Sequence, residues 1–329
     1  MKKLLSFLCL CVAFGSGAFA QSKPVVIKYA HVGMANESQT RYAAELADLI
    51  KEKTQGEVTL QIFPNSQLGG VAEMVDGVKM GAIGMGHHDF ASLGKFLPDM
   101  SVFNAPYIYR DGQHAVLATS PKTSPVLREL NEKLVNTANM RVLGTFYRGA
   151  RQMSTNFPVY SPADLKGKKI RAVPLQLWQT MIQGMGAIPT PVEITELYTA
   201  LMSGMVSGQE NPLTNIFALK FYEVQTHVIM TGHMQSVLST FINEKVWKSL
   251  SEKNRGLIDD AMVEMSNRSL QWAVGDEKEA RAKIEEKGVK FIDESNGLNN
   301  KAFRDAVNAK LLQDFPNWKD YIARIEQIK

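Results

Sequence analysis

Cysteine is nearly absent from this chain of 329 residues: Cys9 and Cys11 are the only two. Both fall in an N-terminal stretch that reads as a removable leader. Lys2 and Lys3 open it, Leu4 to Phe14 is apolar, and Ala18-Phe19-Ala20 supplies the small residues a signal peptidase reads, with cleavage expected after Ala20. The apolar run is too short to span a membrane comfortably. Loss of Lys2 and Lys3 lowers the net charge from +4 to +2. Without cysteine, the processed chain has no disulfide, no thiol nucleophile and no thiolate metal ligand. Histidine is also scarce, and His31, His114, His227 and His233 show no ligand spacing. His87-His88-Asp89 resembles a metal cluster, but neighbours on a strand point to opposite faces. Gly81, Gly84 and Gly86 lack the third glycine of a dinucleotide fingerprint, and no P-loop, Gly-x-Ser-x-Gly or His-Glu-x-x-His occurs. No metal and no cofactor is expected. The small, dispersed charge argues against nucleic acid as a partner.

What is present is an ordinary globular composition, 45% hydrophobic and 21% charged, in a length that suits two domains. Val25 to Val32 reads as a strand. Ser38 precedes a helix carrying Ala43, Ala44, Leu46, Ala47 and Ile50, which Gly56 ends. Val58 to Phe63 alternates as a strand, Ala72 to Met80 forms a helix and Ile83 to Gly86 a third strand. This order predicts an α/β fold, an open sheet with helices on its faces. Farther on, strands are predicted at Met140 to Tyr147, Lys169 to Val173, Thr226 to Met230 and Gln235 to Ile242. From Ser251 to Lys287 helical spacing is almost unbroken, and a helix of that length suits a bridge between domains. No Gly/Ser linker occurs, so two domains would be joined by several crossing strands, as in hinged clefts.

The stretch from Arg148 to Leu213 carries the candidate chemistry. Arg171 ends an apolar strand before Pro174, where side chains of an open α/β sheet face the ligand crevice. A guanidinium is a planar fork that grips a carboxylate bidentately. A surface arginine lying along the sheet is the alternative. Arg148 and Arg151 follow the strand Met140 to Tyr147; one suits a clamp and the other a rim charge, and position alone does not choose. Asn211 can donate or accept, or simply turn the chain before Pro212. Trp178 is either core or an aromatic wall.

Several runs together resemble the substrate-binding proteins of tripartite ATP-independent periplasmic (TRAP) transporters, the DctP-like family. They are Phe63-Pro64-Asn65-Ser66-Gln67-Leu68-Gly69, Arg148-Gly149-Ala150-Arg151-Gln152, Leu165-Lys166-Gly167-Lys168-Lys169-Ile170-Arg171, Gly208-Gln209-Glu210-Asn211-Pro212-Leu213 and Lys220-Phe221-Tyr222-Glu223-Val224, in order across residues 24–329. The resemblance implies a two-lobed periplasmic binding protein with hinge strands and a long helix spanning both lobes. It places lobe I at 21–148 plus 237–276 and lobe II at 149–236 plus 277–329, after a leader at 1–20. It implies that Arg171 pairs with a substrate carboxylate, assisted by Arg151 and Asn211. His87, Phe90, Trp178 and Ile194 fall where relatives line the pocket.

These residues lean toward a monocarboxylate with a planar or partly apolar body, such as an aromatic acid; a sugar acid or C4-dicarboxylate is the alternative. The resemblance implies a monomeric, non-enzymatic receptor in the periplasm that delivers an organic acid to membrane permease subunits. The rivals are a ligand sensor for a kinase and a periplasmic enzyme acting on organic acids.

Overall fold

The computed structural model describes residues 24–329; the leader expected at 1–20, with Cys9 and Cys11, lies outside them. The chain begins β1 (Val25–Ala30), α1 (Ser38–Lys53), β2 (Val58–Phe63), α2 (Val71–Met80) and β3 (Met85–Asp89). Then come α3 (Gly112–Ala118), α4 (Pro125–Ala138), β4 (Met140–Thr155), β5 (Lys169–Ala172), α5 (Gln176–Gly184), β6 (Ile188–Pro191), α6 (Leu197–Met202), β7 (Gly208–Pro212) and α7 (Leu213–Ala218). It ends with β8 (His227–Asn243), α8 (Glu244–Ser249), α9 (Glu252–Glu286), β9 (Lys290–Ile292), α10 (Asn300–Asp314) and α11 (Trp318–Glu326).

These strands form one sheet in the order β2-β1-β3-β8-β4-β7-β5-β6, with β9 added on β8. At one end β1 lies parallel to β2 and β3; at the other β5 lies parallel to β6 and β7. The two parallel halves are joined by the long antiparallel pair β4 and β8. β3 pairs with the Leu238 to Ile242 end of β8, while β7 pairs with the Arg151 to Thr155 end of β4. Each half is thus an α/β lobe of its own, and the long strands are the hinge.

β8 runs through the gap expected between two shorter strands, and β4 continues past Tyr147 to Thr155. The continuation is possible because β4 is bulged. Its register against β8 shifts between Tyr147 and Ala150, and Gly149 there has φ +97, a left-handed backbone that suits glycine.

α9 is capped by Ser251, whose Oγ accepts from the Asn254 N–H at 3.2 Å. Its 35 residues extend roughly 50 Å at 1.5 Å per residue. Ile258, Met262 and Met265 enter a core with Tyr29, Tyr42 and Leu46; Ala280 and Ile284 enter another with Leu197, Ile216 and Phe221. The helix therefore belongs to both lobes. Ser266 donates to the Thr145 carbonyl at 2.7 Å, and Ser269 accepts from the Tyr147 N–H at 3.1 Å. That last bond ties the backbone beside the bulge to α9.

Candidate functional site

A small cavity lies between the halves where β3, β4, β5 and β7 converge. Its walls include Asp89, Arg148, Arg151, Arg171, Asn211 and Asn215. Arg171 stands at the carboxyl end of β5, the position at which parallel strands present side chains to a crevice. Arg148 and Arg151 are three apart, a spacing that on a regular strand points to opposite faces. The bulge at Gly149 resets the alternation, and both reach the same cavity.

The three arginines have different partners. Arg151 closes on Glu210: Nε to Oε2 at 2.5 Å, Nη2 to Oε1 at 2.7 Å, and Nη2 to the Glu210 carbonyl at 2.9 Å. Glu210 also takes His233 Nε2 at 3.0 Å and the Trp178 indole N–H at 2.8 Å. Burial opposes ionisation of Glu210, but Arg151 and His233 outweigh it and hold the carboxyl well below its usual range. Arg151 is thus a satisfied, buried member of the cavity wall. Arg148 makes one bond, Nε to Ser236 Oγ at 3.0 Å, and Arg171 one, Nε to the Val192 carbonyl at 2.9 Å. Among the described residues, the terminal nitrogens of both lack a protein partner. Burial lowers each guanidinium to about 10, so both stay cationic at neutral pH.

Opposite them stand acceptors. Glu37 takes the Met34 N–H and the Asn215 side-chain amide, and burial raises its carboxyl. Asp89 Oδ1, Gln39 Oε1, Asn215 Oδ1 and His88 Nδ1 are buried without a hydrogen-bond partner among the described residues. Glu193, half-buried, is raised by burial while Arg171 works against the rise.

Of the residues expected at the site, Arg171, Arg151, Asn211 and Ile194 line this cavity. His87, Phe90 and Trp178 do not. His87 and His88 alternate on β3, and it is His88 that faces the cavity. His87 turns the other way, bonded to the Tyr29 hydroxyl at 2.6 Å and stacked on His31 at 4.9 Å. Phe90 packs on Phe103 in the core. Trp178 lies on the buried face of α5, behind the Arg151–Glu210 pair. Glu37, Asp89, Gln39 and Asn215 were not anticipated. The one available signal was Asp89 at the carboxyl end of the parallel strand β3, within the His87-His88-Asp89 run.

The buried imidazoles make stability sensitive to acid. Burial pushes His31 and His88 down to about 4 from 6.5. Between those values the unfolded chain binds protons that the folded chain refuses, so stability falls as pH falls. Together the two rings contribute a slope of about 3 kcal/mol per pH unit at its steepest. His87 and His233 shift the same way, while Glu37 and Glu193 oppose the trend. The expected result is a urea midpoint that is level above pH 7 and declines from about 6.5 downward. A constant midpoint from pH 7.5 to 5 would mean that the folded rings accept protons freely.

Residues 29–315 match the bacterial extracellular solute-binding proteins, family 7, also called DctP. The chain belongs to this family, the solute-binding proteins of TRAP transporters. It is 28% identical over 331 residues to the 2,3-diketo-L-gulonate-binding periplasmic protein of Escherichia coli, covering 98% of this chain and 97% of that one. The fold matches a TRAP periplasmic solute-binding protein of Actinobacillus succinogenes with bound L-galactonate, at TM-score 0.83 and 28% identity, over 92% of this chain and all of the other. A third, from Xanthobacter autotrophicus with bound β-D-galacturonate, matches at TM-score 0.83 and 27% identity, over 92% of this chain and all of the other. No described helix is long and apolar enough to cross a membrane.

Proposed function

We propose that the protein is a periplasmic receptor for a polyhydroxy monocarboxylic acid of the sugar-acid type, which it carries as a monomer to membrane permease subunits. The observation that carries this reading is the pairing of two kinds of unmet group. Arg148 and Arg171 offer donors to one carboxylate, and Asp89, Gln39 and Asn215 offer buried acceptors to hydroxyl groups. An unmet buried polar group costs about 1–3 kcal/mol, so a guest that satisfies both sets is favoured over one that meets only the first. The sugar acids bound by relatives agree with this inventory.

The lean toward an aromatic acid rested on His87, Phe90 and Trp178, which lie elsewhere, and loses its basis. A second carboxylate on the guest would meet Glu37, Asp89 and Glu193. That disfavours C4-dicarboxylates.

The space between the walls is about 30 Å³, too little for a six-carbon acid, so the lobes part to admit one. The proposed lobes, 21–148 plus 237–276 and 149–236 plus 277–329, meet at the bulged centre of β4, except that α11 packs back onto α3 and α4 of the first. Closure on the guest expels water and strengthens the ion pair. The closed state is favoured by its higher affinity.

Calorimetry with a six-carbon aldonate or uronate, succinate and phenylacetate tests the proposal. The sugar acid is expected to bind about tenfold or more tightly than the other two, which leave the acceptors unmet. Tightest binding by succinate or phenylacetate overturns it.

A further inference from the structure

The cavity at the arginines, about 30 Å³ as the lobes stand, is the tighter part of the cleft. Beside it lies a groove of about 310 Å³ that shares two wall residues with it, Val71 and Glu193. One side of this groove is α2, through Val71, Ala72 and Val75; the other is the start of α5, through Leu175 and Leu177, with Phe315 beyond. The groove thus runs between the same two halves as the arginine cavity and continues it outward. Its surface is more carbon than polar, and Ser92, Lys95, Ser101, Gln176 and Glu193 supply the polar part.

Glu193 lines both spaces. A Cβ on Gly70, at the start of α2, would come within 3.3 Å of Glu193 Oε1, so the carboxylate reaches across the cleft to that helix end. Glu73 Oε2 lies at the same helix end, 3.1 Å from that Cβ, and repels the Glu193 carboxylate, which holds it there loosely. Glu193 is on a connecting segment and half exposed, so its side chain can swing without disturbing either core.

We infer that this groove is the second half of the binding site and that it receives a neutral, partly deoxygenated tail of the acid whose carboxylate sits at Arg148 and Arg171. The assignment rests on the hydroxy-acid reading above and extends it. The head demands donors and acceptors; the tail demands little more than length and carbon surface. Removal of carbon from water in the groove raises affinity in proportion to the chain buried.

The test is calorimetry of the processed protein with lactate, 2-hydroxybutyrate, 2-hydroxyhexanoate and 2-hydroxyoctanoate, alongside a six-carbon aldonate. Affinity is expected to rise about three- to fourfold per added methylene. Ala72→Trp, at an exposed helix position that tolerates bulk, should fill the groove and bring the octanoate-to-lactate affinity ratio toward one. A flat series in the native protein, with the aldonate still binding, overturns the groove and leaves the hydroxy-acid reading standing. An equal loss for every acid in Ala72→Trp also overturns it, because the groove then serves passage or folding. No binding by any acid, the aldonate included, overturns both.

Discussion

Arg171→Ala is expected to lower affinity for the bound acid by 2–5 kcal/mol, about thirtyfold to several thousandfold. Arg171 is 3% exposed, and Val192 occupies only its Nε, so both terminal nitrogens are available to the guest. Without them a carboxylate enters a cavity already walled by Glu37, Asp89 and Glu193. The loss therefore combines a missing attraction with an uncompensated repulsion. Arg171→Lys keeps the charge but loses the planar fork, so it should fall between the native protein and the alanine variant. Titration calorimetry beside a urea melt separates binding from folding. Native affinity in a folded Arg171→Ala protein would remove this side chain from the site.

The second large effect is on stability. Glu210→Gln should destabilise the protein by about 3–5 kcal/mol, because it leaves the Arg151 guanidinium buried without a counter-charge. That is a large share of the roughly 5–15 kcal/mol by which a domain is stable. Arg151 is 1% exposed and Glu210 fully buried, so water cannot substitute for the lost partner. Adding Arg151→Met to Glu210→Gln removes the stranded charge and leaves an amide oxygen for Trp178 and His233. The double variant should recover part of the loss. A single variant as stable as the native protein in urea, or a double variant less stable than the single, would show that the pair contributes no such coupling.

The two halves of this site differed in how far the sequence revealed them. Arg171 was partly legible because it ends a short apolar strand before a proline, where a parallel sheet presents side chains to a crevice, although a surface arginine fits the same pattern. The long helix was legible because its apolar spacing continues over ten turns. The role of Arg151 was not. Its partner Glu210 lies 59 residues away on β7, a segment in which the sequence shows no strand pattern. Arg148 was noticed, but only the bulge at Gly149 places it beside Arg151, and a bulge is a property of strand pairing that one strand's residues do not carry. His87 and His88 show the same limit at one-residue scale. Alternation says that one faces inward, and the neighbouring strand decides which. The C-terminal helices α10 and α11 went unassigned. Their buried positions, such as Phe303, Val307 and Trp318, are few and spaced among charged residues.

Because α9 contributes to both cores, the two halves are not separable pieces. A gene cut after the first crossing strand would yield a fragment lacking Ile258, Met262 and Met265, with the apolar surface of Tyr42 and Leu46 bared to solvent. Its complement would hold a helix with one end docked and the other stripped of its seat. Each fragment should aggregate alone, and mixing them should restore solubility only if α9 threads back across both.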